Sequence, residues 1–170
     1  MSLNFFTLLQ LPETFVIDLE KLDQNYQTIQ KEIHPDRFAS FDDEAKLESV
    51  KKTAQANDAY QTLKSPIRRA EYLLLLQGIN IHDEKYTAVP QAFLMQQMEW
   101  REELETHKQN KAALLKLAQD IQLCKHEMIN ELPRYFENKN NLDEAVMITR
   151  ELNFIEKIEQ HIDDALIEIL

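Results

Sequence analysis

The chain has 170 residues, 44% hydrophobic and 29% charged, with one glycine and one cysteine. That is the composition of one large or two small folded domains and not of a disordered chain, and a single cysteine excludes an internal disulfide or a cysteine-rich metal site. The net charge of −11 splits into −3 over residues 1–78 and −8 over 79–170, which repels phosphate backbones and argues against a nucleic-acid partner.

The near absence of glycine points to an all-α fold, since a sheet needs turn glycines. Met1-Ser2-Leu3-Asn4-Phe5-Phe6 has no basic leading region, and no apolar run approaches the ~20 residues of a membrane span. A cytoplasmic protein with no membrane partner is expected.

Asn4 can cap a short helix from Phe5 to Gln10, ended by Pro12, and Asp18 can cap the next. Leu19, Leu22, Tyr26, Ile29 and Ile33 then mark one helical face. His34 precedes Pro35, is biased out of the helical region, and should stop the helix. Residues Arg37 to Asp43 read as a loop. A second long helix starts near Asp42 or Asp43, with Leu47, Val50, Ala54, Asn57, Tyr60 and Leu63 as its stripe. Two long helices joined by a short loop lie antiparallel, so His34-Pro35-Asp36 sits at the open end of a helical hairpin.

Ser65-Pro66 restarts the chain as N-cap and first helical residue, and Ile67, Ala70, Leu73 and Leu74 follow until Gly78. Residues 79–89 show no helical period and read as a connector. Pro90 opens a helix to about His107. Another runs from about Lys111 to Glu131 with Leu114, Leu117, Ala118, Ile121, Met128 and Leu132 inward, and Pro133 should disturb its end. Asn141 can cap the last helix, with Ala145, Ile148, Leu152, Ile155, Ile162, Leu166 and Ile169 inward. Three helices of this length can form an antiparallel bundle over residues 90–170.

The helix after Pro90 carries more apolar residues than one core face needs. Phe93, Gln97, Trp100 and Leu104 make an adequate core stripe at ~100° per residue. Leu94, Met95 and Met98 are left over, beside Glu99 and Glu102. Either the helix is buried on two sides, or it presents an adaptable, charge-rimmed patch to a partner. Phe154, about 100° off the stripe of its own helix, is either a flank of the core or part of that patch across a helix–helix groove.

His34 and Asp36 could ligate a metal or act as an acid/base pair, but there is no third ligand at useful spacing, no phosphate loop and no nucleophile motif. His82, His107, His126 and His161 are scattered, and Cys124 reads as a small hydrophobe. No catalytic residue, metal or cofactor is expected.

Tyr26-x-x-Ile29-x-x-x-Ile33 followed by His34-Pro35-Asp36-Arg37-Phe38 resembles the J-domain of DnaJ-type co-chaperones. So do Asn57-Asp58-Ala59-Tyr60-Gln61-Thr62-Leu63-x-x-Pro66 and Arg69-Ala70-Glu71-Tyr72. The opening Phe5-Phe6-Thr7-Leu8-Leu9-x-Leu11-Pro12, the run Arg69 to Leu74, and Ala92-Phe93-Leu94-Met95-x-Gln97-Met98-Glu99-x-Arg101-Glu102-Glu103-Leu104 extend the likeness along the whole chain. They resemble the HscB family of J-type co-chaperones in iron–sulfur cluster assembly, in its bacterial form.

The resemblance implies a J-domain over 1–78, a connector over 79–89 and a scaffold-binding bundle over 90–170. It implies a protein with no catalysis of its own. Such a protein delivers an IscU-type scaffold to a specialised DnaK-like chaperone of the HscA type and stimulates that chaperone's ATP hydrolysis. The implied chaperone-binding residues are His34, Pro35, Asp36, Lys31 and Arg37; the implied scaffold contacts are Leu94, Met95, Met98, Glu99, Glu102 and Phe154. Three departures stand out. Met98 replaces a frequent leucine. Thr106 replaces an acidic contact, so that Glu105 substitutes or the contact is lost. The outer face of the second helix, with Lys21, Gln24, Thr28 and Lys31, is only mildly basic, helped by Lys51 and Lys52; steering by long-range charge is correspondingly weak. A general J-domain adaptor for another client is the alternative.

Overall fold

A computed structural model of the chain describes residues 4–86 and 88–170; the reading of Met1–Leu3, and Thr87 in the connector, lie outside the described residues. Among the described residues every regular element is helical. The α-helices are α1 (Phe5–Leu8), α2 (Leu19–Ile33), α3 (Asp43–Lys64), α4 (Pro66–Leu76), α5 (Gln91–Thr106), α6 (Lys111–Glu137) and α7 (Asp143–Ile169). Short 3-10 turns cover Pro35–Phe38 and Glu84–Tyr86. The chain forms two compact units, divided within α4 between Leu73 and Leu74.

In the first unit the Asn4 side chain accepts from the amides of Phe6 and Thr7 at 2.9 and 3.3 Å. The helix it caps ends at Leu8, before the expected Gln10. Gln10 itself adopts a left-handed φ of 55°, and bonds from Gln10 N to Thr7 O and Leu11 N to Phe6 O close a Schellman turn. The helix is therefore stopped by backbone geometry before Pro12 can act. Asp18 caps α2 as expected, accepting from Glu20 and Lys21 amides. Phe5 stacks on Tyr72 with ring centroids 4.6 Å apart, and Phe6, Leu9, Leu22, Leu63, Ile67 and Ala70 fill the core.

The α2–α3 pair is held by polar and aromatic contacts. Tyr26 and Tyr60 stack at 4.1 Å, the Tyr60 hydroxyl donates to Asp23 at 2.6 Å, and the Tyr26 hydroxyl bonds the Asn57 side chain. The expected stripe of α3 needs correction. Leu47 and Val50 are more than half exposed, and Ala54 and Asn57 also face solvent. The buried face is Ser49, Ala56, Ala59, Thr62 and Leu63. Small and hydroxyl-bearing residues win there because α2 needs their hydrogen bonds: Ser49 Oγ donates to the Ile33 carbonyl at 2.7 Å, and Thr53 Oγ1 approaches the same oxygen at 3.5 Å.

Arg69 is 7% exposed and donates to the Leu63 carbonyl at 2.7 Å, with its guanidinium 4.9 Å from the Phe15 ring centroid. Burial lowers its pKa to about 10, which leaves it charged. It closes the end of α3 much as a lysine or arginine near a helix C-terminus does. Gly78, φ 79°, ends α4 in a second Schellman turn, with Gly78 N on Leu75 O and Ile79 N on Leu74 O.

In the second unit α6 packs along α7, and α5 packs on both. The connection over 138–142 is short, so α6 and α7 run antiparallel. Leu114, Leu117, Ile121, Leu132, Leu152, Ile155 and Ile162 are all buried. Asn141 still accepts from the Asp143 amide at 3.2 Å, although Leu142 is the residue directly before the helix. The expected end of α6 near Glu131 is too early. The helix passes through Pro133 to Glu137, forgoing one backbone bond. Its last turn is anchored by Tyr135 and Phe136, which pack on a cluster of Leu74, Ile81, Leu142, Ala145 and Val146.

Candidate functional site

The loop after α2 is built by its own side chains. His34 is extended, with ψ 134°, as a residue before proline must be. Its Nδ1 accepts from the Asp36 amide at 3.2 Å, so it caps the 3-10 turn over Pro35–Phe38. In the neutral imidazole this puts the remaining proton on Nε2. A carboxylate oxygen of Asp36 also stands 3.5 Å from Nδ1, but that lone pair already serves the amide, so neutral His34 makes no hydrogen bond to the carboxylate. The Asp36 side chain is 92% exposed.

Arg37 turns back onto α2. Its Nη1 donates to the Lys31 carbonyl at 3.2 Å and lies 3.5 Å from that of Glu32. The last carbonyls of α2 are thus taken by Arg37 and Ser49, while the Thr53 hydroxyl donates to the Ser49 carbonyl at 2.9 Å. Lys31 is exposed, as are Lys21, Gln24 and Thr28 on its face and Lys51 and Lys52 on α3.

The second site lies on α5. Gln97, Trp100 and Leu104 are buried, Phe93 is half-buried, and Leu94, Met95 and Met98 are 45%, 56% and 70% exposed. The helix therefore buries one side, and the leftover stripe faces water with Glu99 and Glu102 beside it. Glu105, next to the Thr106 departure, pairs with Lys108 at 3.7 Å.

Phe154 is half-buried on α7, in a pocket with Ile81, His82, Arg150, Asn153 and Lys157. None of these neighbours comes from α5. Successive antiparallel turns make α5 and α7 parallel, and Leu104 lies beside His161 and Ala165. At ~1.5 Å per residue Leu94 is then about level with Phe154, so stripe and ring share one height of the bundle.

Cys124 is half-buried; burial, then Glu127 and Glu151, pushes its thiol up. Glu151 is pushed up to about 7, chiefly by burial and then by Glu144 and Glu131. Among the described residues no three potential ligands gather around a metal position, and no helix is long and apolar enough to cross a membrane.

The hydrophobic pattern alone does not reveal Ser49 and Thr53 as supports of the loop, because hydroxyls carry no apolar signal. Their spacing of four on the α3 face turned toward α2 is the one sequence trace they leave.

A helical hairpin that displays His34-Pro35-Asp36, on a chain that continues into a three-helix unit with an exposed apolar stripe, is the arrangement that the resemblance to J-type co-chaperones implies. Residues 89–163 match the family described as HSCB C-terminal oligomerisation domain. The co-chaperone protein HscB homolog of Shewanella amazonensis is 38% identical over 98% of this chain and 100% of its own length. Chaperone HscB from Vibrio cholerae superposes with TM-score 0.83 at 36% identity, over 99% of this chain and 100% of that one. Human co-chaperone protein HscB gives TM-score 0.88 at 30% identity, over 95% and 81% respectively. The chain belongs to the HscB family of co-chaperones.

Proposed function

We propose that this co-chaperone carries an IscU-type iron–sulfur scaffold protein to a DnaK-like chaperone of the HscA type in the cytoplasm and stimulates that chaperone's ATP hydrolysis. Residues 1–78 act as the J-domain, 79–89 as connector and 90–170 as the scaffold-binding bundle. The observation that carries the reading is the Asp36 carboxylate, held almost fully in water by a loop that His34 Nδ1 and Arg37 Nη1 brace. A free carboxylate on a braced turn suits a short, charge-assisted contact with a basic side chain of the chaperone. His34 and Pro35 shape that turn, Lys31 adds positive charge beside it, and Arg37 ties the turn to α2.

The scaffold side rests on Leu94, Met95 and Met98, with Glu99 and Glu102 at the rim and Phe154 at the same height on α7. Flexible methionine side chains can repack against a partner, and the flanking carboxylates select a basic counter-surface.

Two variants test the two halves. His34→Gln should bind the scaffold with unchanged affinity but lose ATPase stimulation in a coupled assay. Leu94→Ala with Met98→Ala should weaken scaffold binding on the order of ten- to a hundred-fold while the thermal midpoint holds. Full stimulation by the first variant defeats the loop assignment. Retained affinity with a falling midpoint in the second would make the stripe a structural element only.

A further inference from the structure

We infer that the pocket beside Phe154 is a carboxylate-binding site, which takes an aspartate or glutamate side chain of the protein bound on the α5 stripe. The choice of partner rests on the scaffold-binding reading above; the choice of chemistry does not. The pocket has a volume of about 110 Å³ and is lined by Ile81, His82, Arg150, Asn153, Phe154 and Lys157. None of the six is acidic, in a part of the chain whose balance over 79–170 is −8.

Arg150 is fixed from one side: Nη1 donates to the Ile81 carbonyl. Its Nε and the Nδ2 of Asn153 are buried, and no acceptor among the described residues reaches either. Leaving a buried donor unpaired costs about 1–3 kcal/mol, so two such donors on residues that line one pocket mark an unmet demand for an acceptor. Residues three and four apart share a helical face, which lines up Arg150, Asn153 and Lys157 on α7. Lys157 Nζ lies 5.5 Å from the Phe154 ring centroid, so an ammonium stands near the rim.

A carboxylate meets these demands together. Its two oxygens can accept from two N–H donors, and its charge strengthens both bonds. The volume admits a carboxylate with a methylene or two, and is too small for a nucleotide. The stripe residues Glu99 and Glu102 ask for basic groups on the partner; the pocket, level with that stripe, asks for an acidic one. Opposite charges set close together across one interface fix its register.

The test has two arms. In the first, sodium acetate is titrated into the full-length ¹⁵N-labelled chain against sodium chloride at equal ionic strength. Acetate should move the Arg150 Nε–H and Asn153 side-chain resonances, and chloride should not. No response to acetate, or a stronger response to inorganic phosphate, overturns the carboxylate assignment.

In the second arm the scaffold protein is the probe. Asn153→Asp sets a carboxylate of the chain's own next to Arg150. Its thermal midpoint should hold or rise while scaffold affinity falls on the order of ten-fold. Lys157→Gln, an exposed change with little bearing on folding, should show a smaller loss and a shallower salt dependence. Unchanged affinity in both overturns the inference. If Leu94→Ala with Met98→Ala leaves affinity intact while Asn153→Asp lowers it, the stripe reading fails and the pocket stands. If the scaffold does not bind at all, the acetate arm still decides the pocket.

Discussion

Glu151 shows how a single side chain couples this fold to pH. Burial, then Glu144 and Glu131, raises its carboxyl from 4.5 to about 7. Between those values the folded chain keeps a proton that the unfolded chain has lost. The stabilisation is full below pH 4.5 and is lost as pH rises through 7. Glu151→Gln keeps the neutral shape at every pH. It should add about 1–2 kcal/mol at pH 8, discounted for solvent screening, and almost nothing at pH 4.5. Urea midpoints at the two pH values check this; an equal gain at both would trace the effect to packing. Arg37 carries a different lesson. The sequence resemblance places it among chaperone contacts, while its Nη1 is spent on the Lys31 carbonyl of α2, which gives it a part in the shape of the loop.

At the scale of elements, legibility followed the strength of the apolar pattern. The α5 wheel sorted Trp100 and Leu104 inward and Leu94, Met95 and Met98 outward, and the burial agrees. On α3 the apolar pattern misleads because the buried face carries Ser49, Ala56, Ala59 and Thr62, small or hydroxyl-bearing residues with little hydrophobic signal, of which Ser49 also satisfies the Ile33 carbonyl. Pro133, a strong local stop, points to an earlier end of α6 than the helix adopts, and packing of Tyr135 and Phe136 outweighs it. A further weakness of α5 is Gln97, 6% exposed with its Nε2 unpaired. Gln97→Met replaces that amide with an apolar chain of similar shape. It should stabilise the protein by about 1–2 kcal/mol and leave scaffold binding unchanged, since Gln97 faces away from the stripe. Chemical denaturation with a parallel binding titration decides it; a loss of affinity would show that Gln97 shapes the exposed face.

At the scale of the whole molecule, the sequence shows a change of composition near Gly78, whereas the compact units divide within α4. Leu74 and Ile81 are 0% and 1% exposed and pack on Leu142, Ala145 and Val146. Ile81 is a lone apolar residue in a stretch without period, so no pattern announces that it is buried. A fragment of residues 74–170 keeps this cluster, and one of 90–170 loses two of its members along with the carbonyl that fixes Arg150. Each large aliphatic removed from a core costs about 2–5 kcal/mol, against a total of about 5–15 kcal/mol for a domain. The shorter fragment should therefore be marginal, with a midpoint many degrees below the longer one in thermal circular dichroism. Equal midpoints would show that the segment before Pro90 adds nothing to the bundle.

The Ser49 hydroxyl on the Ile33 carbonyl, with Thr53 close behind it, also bears on timing. The loop at His34 precedes its own supports in the chain, by 16 and 20 residues counted from Ile33. During synthesis it is made first and braced last, once α3 has been completed and has closed on α2. An unfinished or half-folded chain has His34-Pro35-Asp36 without the α3 hydroxyl that braces the end of α2. The shape of the loop therefore depends on the completed hairpin and not on the local sequence of the loop alone.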